Sequence, residues 1–201
     1  MANDYVAWLL AIASFAFVMT FTPGPNNIML ATSGANFGMK RSMPHVMGVA
    51  FGFPAMLVVV AVGIGYVFQF PVVRGVLRVV GLAYIIYLAY LIASANTLSS
   101  ARQSKPITFW QAAGFQWINP KAWAQAIGAT SAYLSLDFNK YAQIIAMALV
   151  FLPIGIASSW IWAAFGVRIA ALLNTPTKLR TFNVIMAAAL LVTILPVILT
   201  Y

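Results

Sequence analysis

Apolar residues run along this chain in long stretches separated by short polar knots, and the stretch lengths predict its architecture. The first stretch covers about residues 5–38 and is cut by Thr22-Pro23-Gly24-Pro25-Asn26-Asn27. An unbroken helix of that length would reach ~50 Å, against ~30 Å of hydrocarbon. Proline removes a backbone donor and clashes with the preceding turn, so the break is expected at residues 23–25. A polar hinge at Lys40-Arg41-Ser42 leads to a second span at about 44–68 and a third at about 72–95. The polar stretch 96–106 divides the chain. The next apolar run, about 107–136, is again too long for one span and is cut by Asn119-Pro120-Lys121. A turn is expected at Asp137 to Lys140, with further spans at about 141–165 and 181–200.

Each half thus predicts a broken helix followed by two intact ones. The expected fold is an all-α membrane protein with a single transmembrane domain over residues 1–201. Its six transmembrane helices would form two inverted three-helix repeats, 1–100 and 101–201, with Pro-broken first and fourth helices. Three spans is an odd number, so the second half enters from the opposite face, as in many secondary transporters. Whether residues 28–38 and 107–118 span or re-enter is left open. Lys40 and Arg41, Arg102 and Lys105, and Arg168, Lys178 and Arg180 share one side of this layout. The positive-inside rule puts those loops in the cytoplasm and both termini outside, with Arg74 and Arg78 pulling the other way.

Composition narrows the classes. A chain 63% hydrophobic and 6% charged cannot clothe a water-facing surface. Its net charge of +9 comes from eleven bases against Asp4 and Asp137. Those bases mostly flank apolar runs, which suits anionic membrane lipid and not nucleic acid. Without cysteine there are no disulfides, thiolate metal sites or dithiol redox chemistry. Two acids and one histidine serve a membrane enzyme poorly, and no metal or cofactor is expected. The segment Met1-Ala2-Asn3-Asp4 lacks the basic region of a secretory signal, so the first apolar stretch is expected to stay as a helix.

A helix broken inside a membrane strands amides and carbonyls that lipid cannot satisfy. Amide ends attract carboxylates and carbonyl ends attract ammonium groups. Pro23-Gly24-Pro25, with Asn26 and Asn27 beside it, therefore reads as a zwitterion site, the plainer alternative being a kink. Lys121 lies near the middle of an apolar run, where an ionisable group is costly and by default functional. A cargo carboxylate is its expected partner; snorkelling to an interface is the alternative. Tyr84, Tyr87 and Tyr90 share a helix face, and Tyr84 is expected to turn its hydroxyl to the cavity. Trp117 and Trp123 bracket the second break. His45 is the candidate for proton coupling, although a histidine at the headgroup boundary would look the same.

Phe21-Thr22-Pro23-Gly24-Pro25-Asn26-Asn27-Ile28 resembles the first-helix signature of the LysE/RhtB family of amino-acid exporters. Gly48 to Gly52, Ala83-Tyr84-Ile85 and Asn119-Pro120-Lys121-Ala122 extend the resemblance over nearly the whole chain. Two stretches, Thr22 to Ile28 and Lys105 to Asn119, look most like members that export cysteine and O-acetylserine. Many family members that carry basic amino acids or homoserine have an acid after the second-helix glycine, where this chain has Phe53-Pro54. The resemblance implies secondary active export of a small neutral amino acid, of the cysteine/O-acetylserine or homoserine/threonine kind, from a bacterial cytoplasm. It implies drive by protons. From the reading of the residues above, Pro23, Gly24, Pro25, Asn26, Asn27, Tyr84, Asn119, Pro120 and Lys121 are expected around the cargo. No Gly-rich phosphate loop of the ATP-binding kind is present. A channel without coupled transport is the other reading, and a homo-oligomer is neither required nor excluded.

Overall fold

The computed structural model describes residues 2–63, 70–94, 105–134, 139–193 and 195. Residues 95–104 with Arg102, Asp137, the far ends of the second and sixth expected spans and the side chains of Arg74 and Arg78 lie outside the described residues. All regular structure among the described residues is helical: α1 Ala2–Phe21, α2 Pro25–Val62, α3 Pro71–Ser94, α4 Phe109–Phe115, α5 Pro120–Tyr133, α6 Lys140–Ala170 and α7 Pro176–Val192. Three of them, α1, α2 and α6, contain segments long and apolar enough to cross a hydrocarbon core.

Helix starts follow local chemistry. Proline is suited to the first helical position because its missing N–H would be unpaired there anyway. α2, α5 and α7 each begin at proline. Asn119 and Thr175 cap α5 and α7, and Asn139 caps α6, with side-chain oxygens that accept amides of the first turn. Thr108 and Gln111 form a reciprocal capping box at α4.

The sequence placed a hinge at Lys40-Arg41-Ser42, but the chain turns at Gly38, whose φ of 76° favours glycine. α2 is therefore two arms, 25–37 and 39–62, and the hinge residues belong to the second arm. Ser33 and Ser42 side chains meet at 2.9 Å, so the arms fold back on one another. An unbroken helix would hold residues nine apart at ~13 Å.

Paired contacts give the directions of the helices. Trp8 Nε1 donates to the Tyr133 carbonyl at 2.8 Å and Gln125 Nε2 to Thr20 Oγ1 at 3.1 Å, so α1 and α5 run antiparallel. Phe15 meets Phe151, and Ser158 Oγ donates to the Thr20 carbonyl at 3.1 Å, so α1 and α6 run parallel. The second arm of α2 descends against α6, with Phe53 on Phe151 and Ala50 beside Gly155. Its glycines let α4 close in: a Cβ on Gly52 would lie 2.6 Å from Ala113 Cα. The helix ends carrying Lys40, Arg41, Lys105, Arg168, Lys178 and Arg180 gather at one end of the bundle, away from the starts of α1 and α6.

The tightest approach is α2 on α6. A Cβ on Gly34 would strike the Ala163 carbonyl, and one on Gly166 the Ala31 carbonyl. Gly166→Ala must push the two helices apart and is expected to cost about 1–3 kcal/mol. Gly114→Ala, with open space around it, should stay within about 0.5 kcal/mol. Unfolding of the purified variants in detergent would distinguish them.

Candidate functional site

The two proline breaks face each other. Thr22, Pro23 and Gly24 interrupt the chain between α1 and α2, and residues 116–119 separate α4 from α5. Ending α1 here leaves carbonyls without helical donors, and side chains supply them. Asn27 Nδ2 donates to the Thr20 and Thr22 carbonyls, both at 2.9 Å, and Ser158 adds its bond to Thr20. The Lys121 ammonium, from the opposite break, also donates to the Thr22 carbonyl. Asn26 Nδ2 donates to Gln116 Oε1 at 2.9 Å, a second bridge between the breaks.

A cavity lies where these groups converge. Its polar wall includes Thr20, Asn26, Asn27, Gln116, Asn119 and Gln125, and among the described residues that line it Lys121 is the one charged group. The apolar wall is Met19, Val49, Phe53 and Phe151, with Ala50 and Gly155 leaving room between α2 and α6. The space open to the centre of a water molecule is about 40 Å³. A single water needs ~10–15 Å³ on that measure, so the cavity has room for a few waters.

The electrostatics are one-sided. The first turns of α2 and α5 both border the cavity through Asn26, Asn27, Lys121 and Ala122. Helix starts carry partial positive charge and unpaired amides, and Lys121 adds a full charge. No carboxylate lies among the cavity residues. The acceptor side is made of neutral oxygens. Gln125 donates to Thr20 and keeps its own carbonyl oxygen as an acceptor. Pro54 has no N–H, so the Ala50 carbonyl lacks its helical donor where both residues line the cavity.

Five of the nine binding residues expected from sequence line this cavity: Gly24, Asn26, Asn27, Asn119 and Lys121. Pro23, Pro25 and Pro120 make the breaks without forming its wall. Tyr84 stands elsewhere, its ring 5.5 Å from Phe115 in a separate apolar cluster, because Gly81 draws α3 against Ile118 there. His45 is buried in the second arm of α2, and neither ring nitrogen has a hydrogen-bond partner among the described residues. Trp123 Nε1 donates to the Trp117 carbonyl, so that pair braces the second break. Thr20, Gln116 and Gln125 were not picked out as binding residues. Gln125 sits four residues after Lys121, on the same helical face, a signal that could have found it.

The LysE type translocator family profile matches residues 17–199. The chain belongs to the LysE translocator family. It is 27% identical over 160 residues to the cysteine/O-acetylserine efflux protein of Escherichia coli K12. The efflux proteins of that name from Shigella flexneri serotype 5b and Shigella sonnei match equally. The match covers 79% of this chain and 82% of each relative. No solved structure matches. As a LysE type translocator with described helices long and apolar enough to cross a membrane, it is an integral membrane protein.

Asn27 ties the first break together, and its donor is what matters. Asn27→Ala should destabilise the family fold by about 1–3 kcal/mol by leaving two carbonyls short of a donor. Asn27→Asp keeps the shape but turns acceptor oxygens toward those carbonyls, so its loss should be larger. Equilibrium unfolding of both variants in one detergent tests the order.

Proposed function

We propose that this LysE-family chain is a secondary active exporter of small neutral amino acids from the bacterial cytoplasm through the inner membrane. The cargo is of the cysteine/O-acetylserine or homoserine/threonine type. The observation that carries this reading is a cavity between two helix breaks whose described lining residues include one fixed cation and no acid. A zwitterion matches it. The cargo carboxylate meets Lys121 and the amide starts of α2 and α5. Its ammonium meets carbonyl oxygens at the broken ends and the side-chain oxygens of Asn26 and Asn27. A second ammonium, as on lysine or arginine, would face Lys121 without a counter-charge.

The same reading takes the chain as six spans in two inverted halves. The antiparallel course of α1 and α5, each bordering a break, supports it. The basic helix ends then lie in the cytoplasm and both termini outside. One half rocks against the other around the cavity, exposing it to each side in turn. Protons drive the cycle, with His45 as the candidate carrier.

Proteoliposomes loaded with radiolabelled amino acids and given a pH gradient test the function. Neutral amino acids should leave faster than from empty-membrane controls, while lysine and arginine should not. Lys121→Ala should lower efflux of the neutral cargo at least ~10-fold, the scale of one lost charged hydrogen bond. If no neutral amino acid leaves, the exporter reading fails. Normal efflux by Lys121→Ala would remove the lysine from the site while leaving the reading intact.

A further inference from the structure

Lys121 does something here that a simple carboxylate receptor does not. Lys121 lines the cavity, and its ammonium reaches across to the Thr22 carbonyl at the cut end of α1, between the lining residues Thr20 and Gly24. That carbonyl is where an incoming ammonium would be stabilised, because a helix end concentrates partial negative charge. Lys121 therefore occupies, with its own ammonium, a position suited to the cargo's ammonium.

We propose that the Thr22 carbonyl is the ammonium subsite of the cargo and that Lys121 is its built-in competitor. On binding, the cargo ammonium replaces Lys121 at Thr22, and the released lysine swings onto the cargo carboxylate. This rests on the exporter reading above and adds a specific exchange to it. Charge balances at each stage: the cavity carries one positive charge with or without a zwitterion. The carbonyl is never stripped of donors, because Asn27 Nδ2 stays on it at 2.9 Å. Only a ligand with both poles completes the exchange. An amine alone must displace a tethered ammonium and gives the lysine no partner. A carboxylate alone draws the lysine away and leaves the carbonyl short of a cation.

Gly24 is what lets the lysine reach. A Cβ there would lie 2.6 Å from Lys121 Cδ and 3.0 Å from Nζ. Its backbone is extended, with φ −171° and ψ 179°, a conformation open to any residue, so the space for the lysine stem is what alanine would take. Gly24→Ala thus pushes the lysine aside while keeping its charge in the cavity.

The test uses three probes that differ by one pole: cysteine, cysteamine, which lacks the carboxylate, and 3-mercaptopropionate, which lacks the ammonium. Alanine, serine and threonine run beside them. Binding is measured calorimetrically on the purified full chain in detergent at neutral pH, with a reductant present. The wild type should bind cysteine and bind cysteamine at least ~10-fold more weakly, the scale of one charged hydrogen bond. Lys121→Met should bind cysteamine about tenfold tighter than the wild type does and lose 3-mercaptopropionate. Gly24→Ala should also gain cysteamine affinity. That gain separates loss of a competitor from loss of repulsion, since the positive charge remains. A cysteamine gain confined to Lys121→Met, or absent from both variants, overturns the exchange while leaving the exporter reading standing. A wild type that binds none of the four amino acids overturns both.

Discussion

Inside an apolar bundle, a cut helix must find hydrogen-bond donors for its last carbonyls from the protein itself, since lipid offers none. The end of α1 meets that demand with Asn27 from beyond the same break, Ser158 from α6 and Lys121 from the other break. These donors come from three separate parts of the sequence, so satisfying one helix end draws α1, α2, α5 and α6 together. The cavity is a consequence. Two proline starts placed side by side bring amides and a lysine to one wall, while the carbonyl oxygens they answer to lie opposite.

Close helix contact elsewhere keeps that arrangement in place. Glycines at 34 and 166 bring α2 and α6 backbone to backbone, and glycines at 48 and 52 do the same for α2 and α4. Dispersion between packed helices replaces the hydrophobic drive that lipid cannot supply. Near the cavity the packing is looser. Ala50 and Gly155 meet at ordinary contact distances, with a Cβ on Gly155 lying 3.7 Å from Ala50 Cα. That leaves one less tightly packed wall between firm crossings.

Much of this was legible in the sequence, for a definite reason. Proline and glycine act locally, so Pro23-Gly24-Pro25 and Asn119-Pro120 announced both breaks, and the cost of a charge in an apolar run singled out Lys121. What was hidden depends on contacts between distant residues. Asn26 with Gln116 and Thr20 with Gln125 are pairs about a hundred residues apart, and no local pattern encodes them. The turn at Gly38 is hidden in the sequence by the neighbouring polar triplet at Lys40, which has the composition of a hinge. A glycine's positive φ leaves no mark in hydropathy. Spacing put Tyr84 on a definite helical face, but which neighbour that face meets is decided by Gly81 against Ile118.

The two breaks stand against each other across one cavity. The natural absence of cysteine lets it be tested without removing any native thiol. Cysteines introduced together at Asn26 and Gln116, whose side chains are bonded at 2.9 Å, should be joined by a short thiol-bridging reagent in native membranes. Each single variant should react with the reagent without forming a bridge. A pair that reacts fully at both thiols yet never cross-links would place the breaks apart, and the account would be wrong.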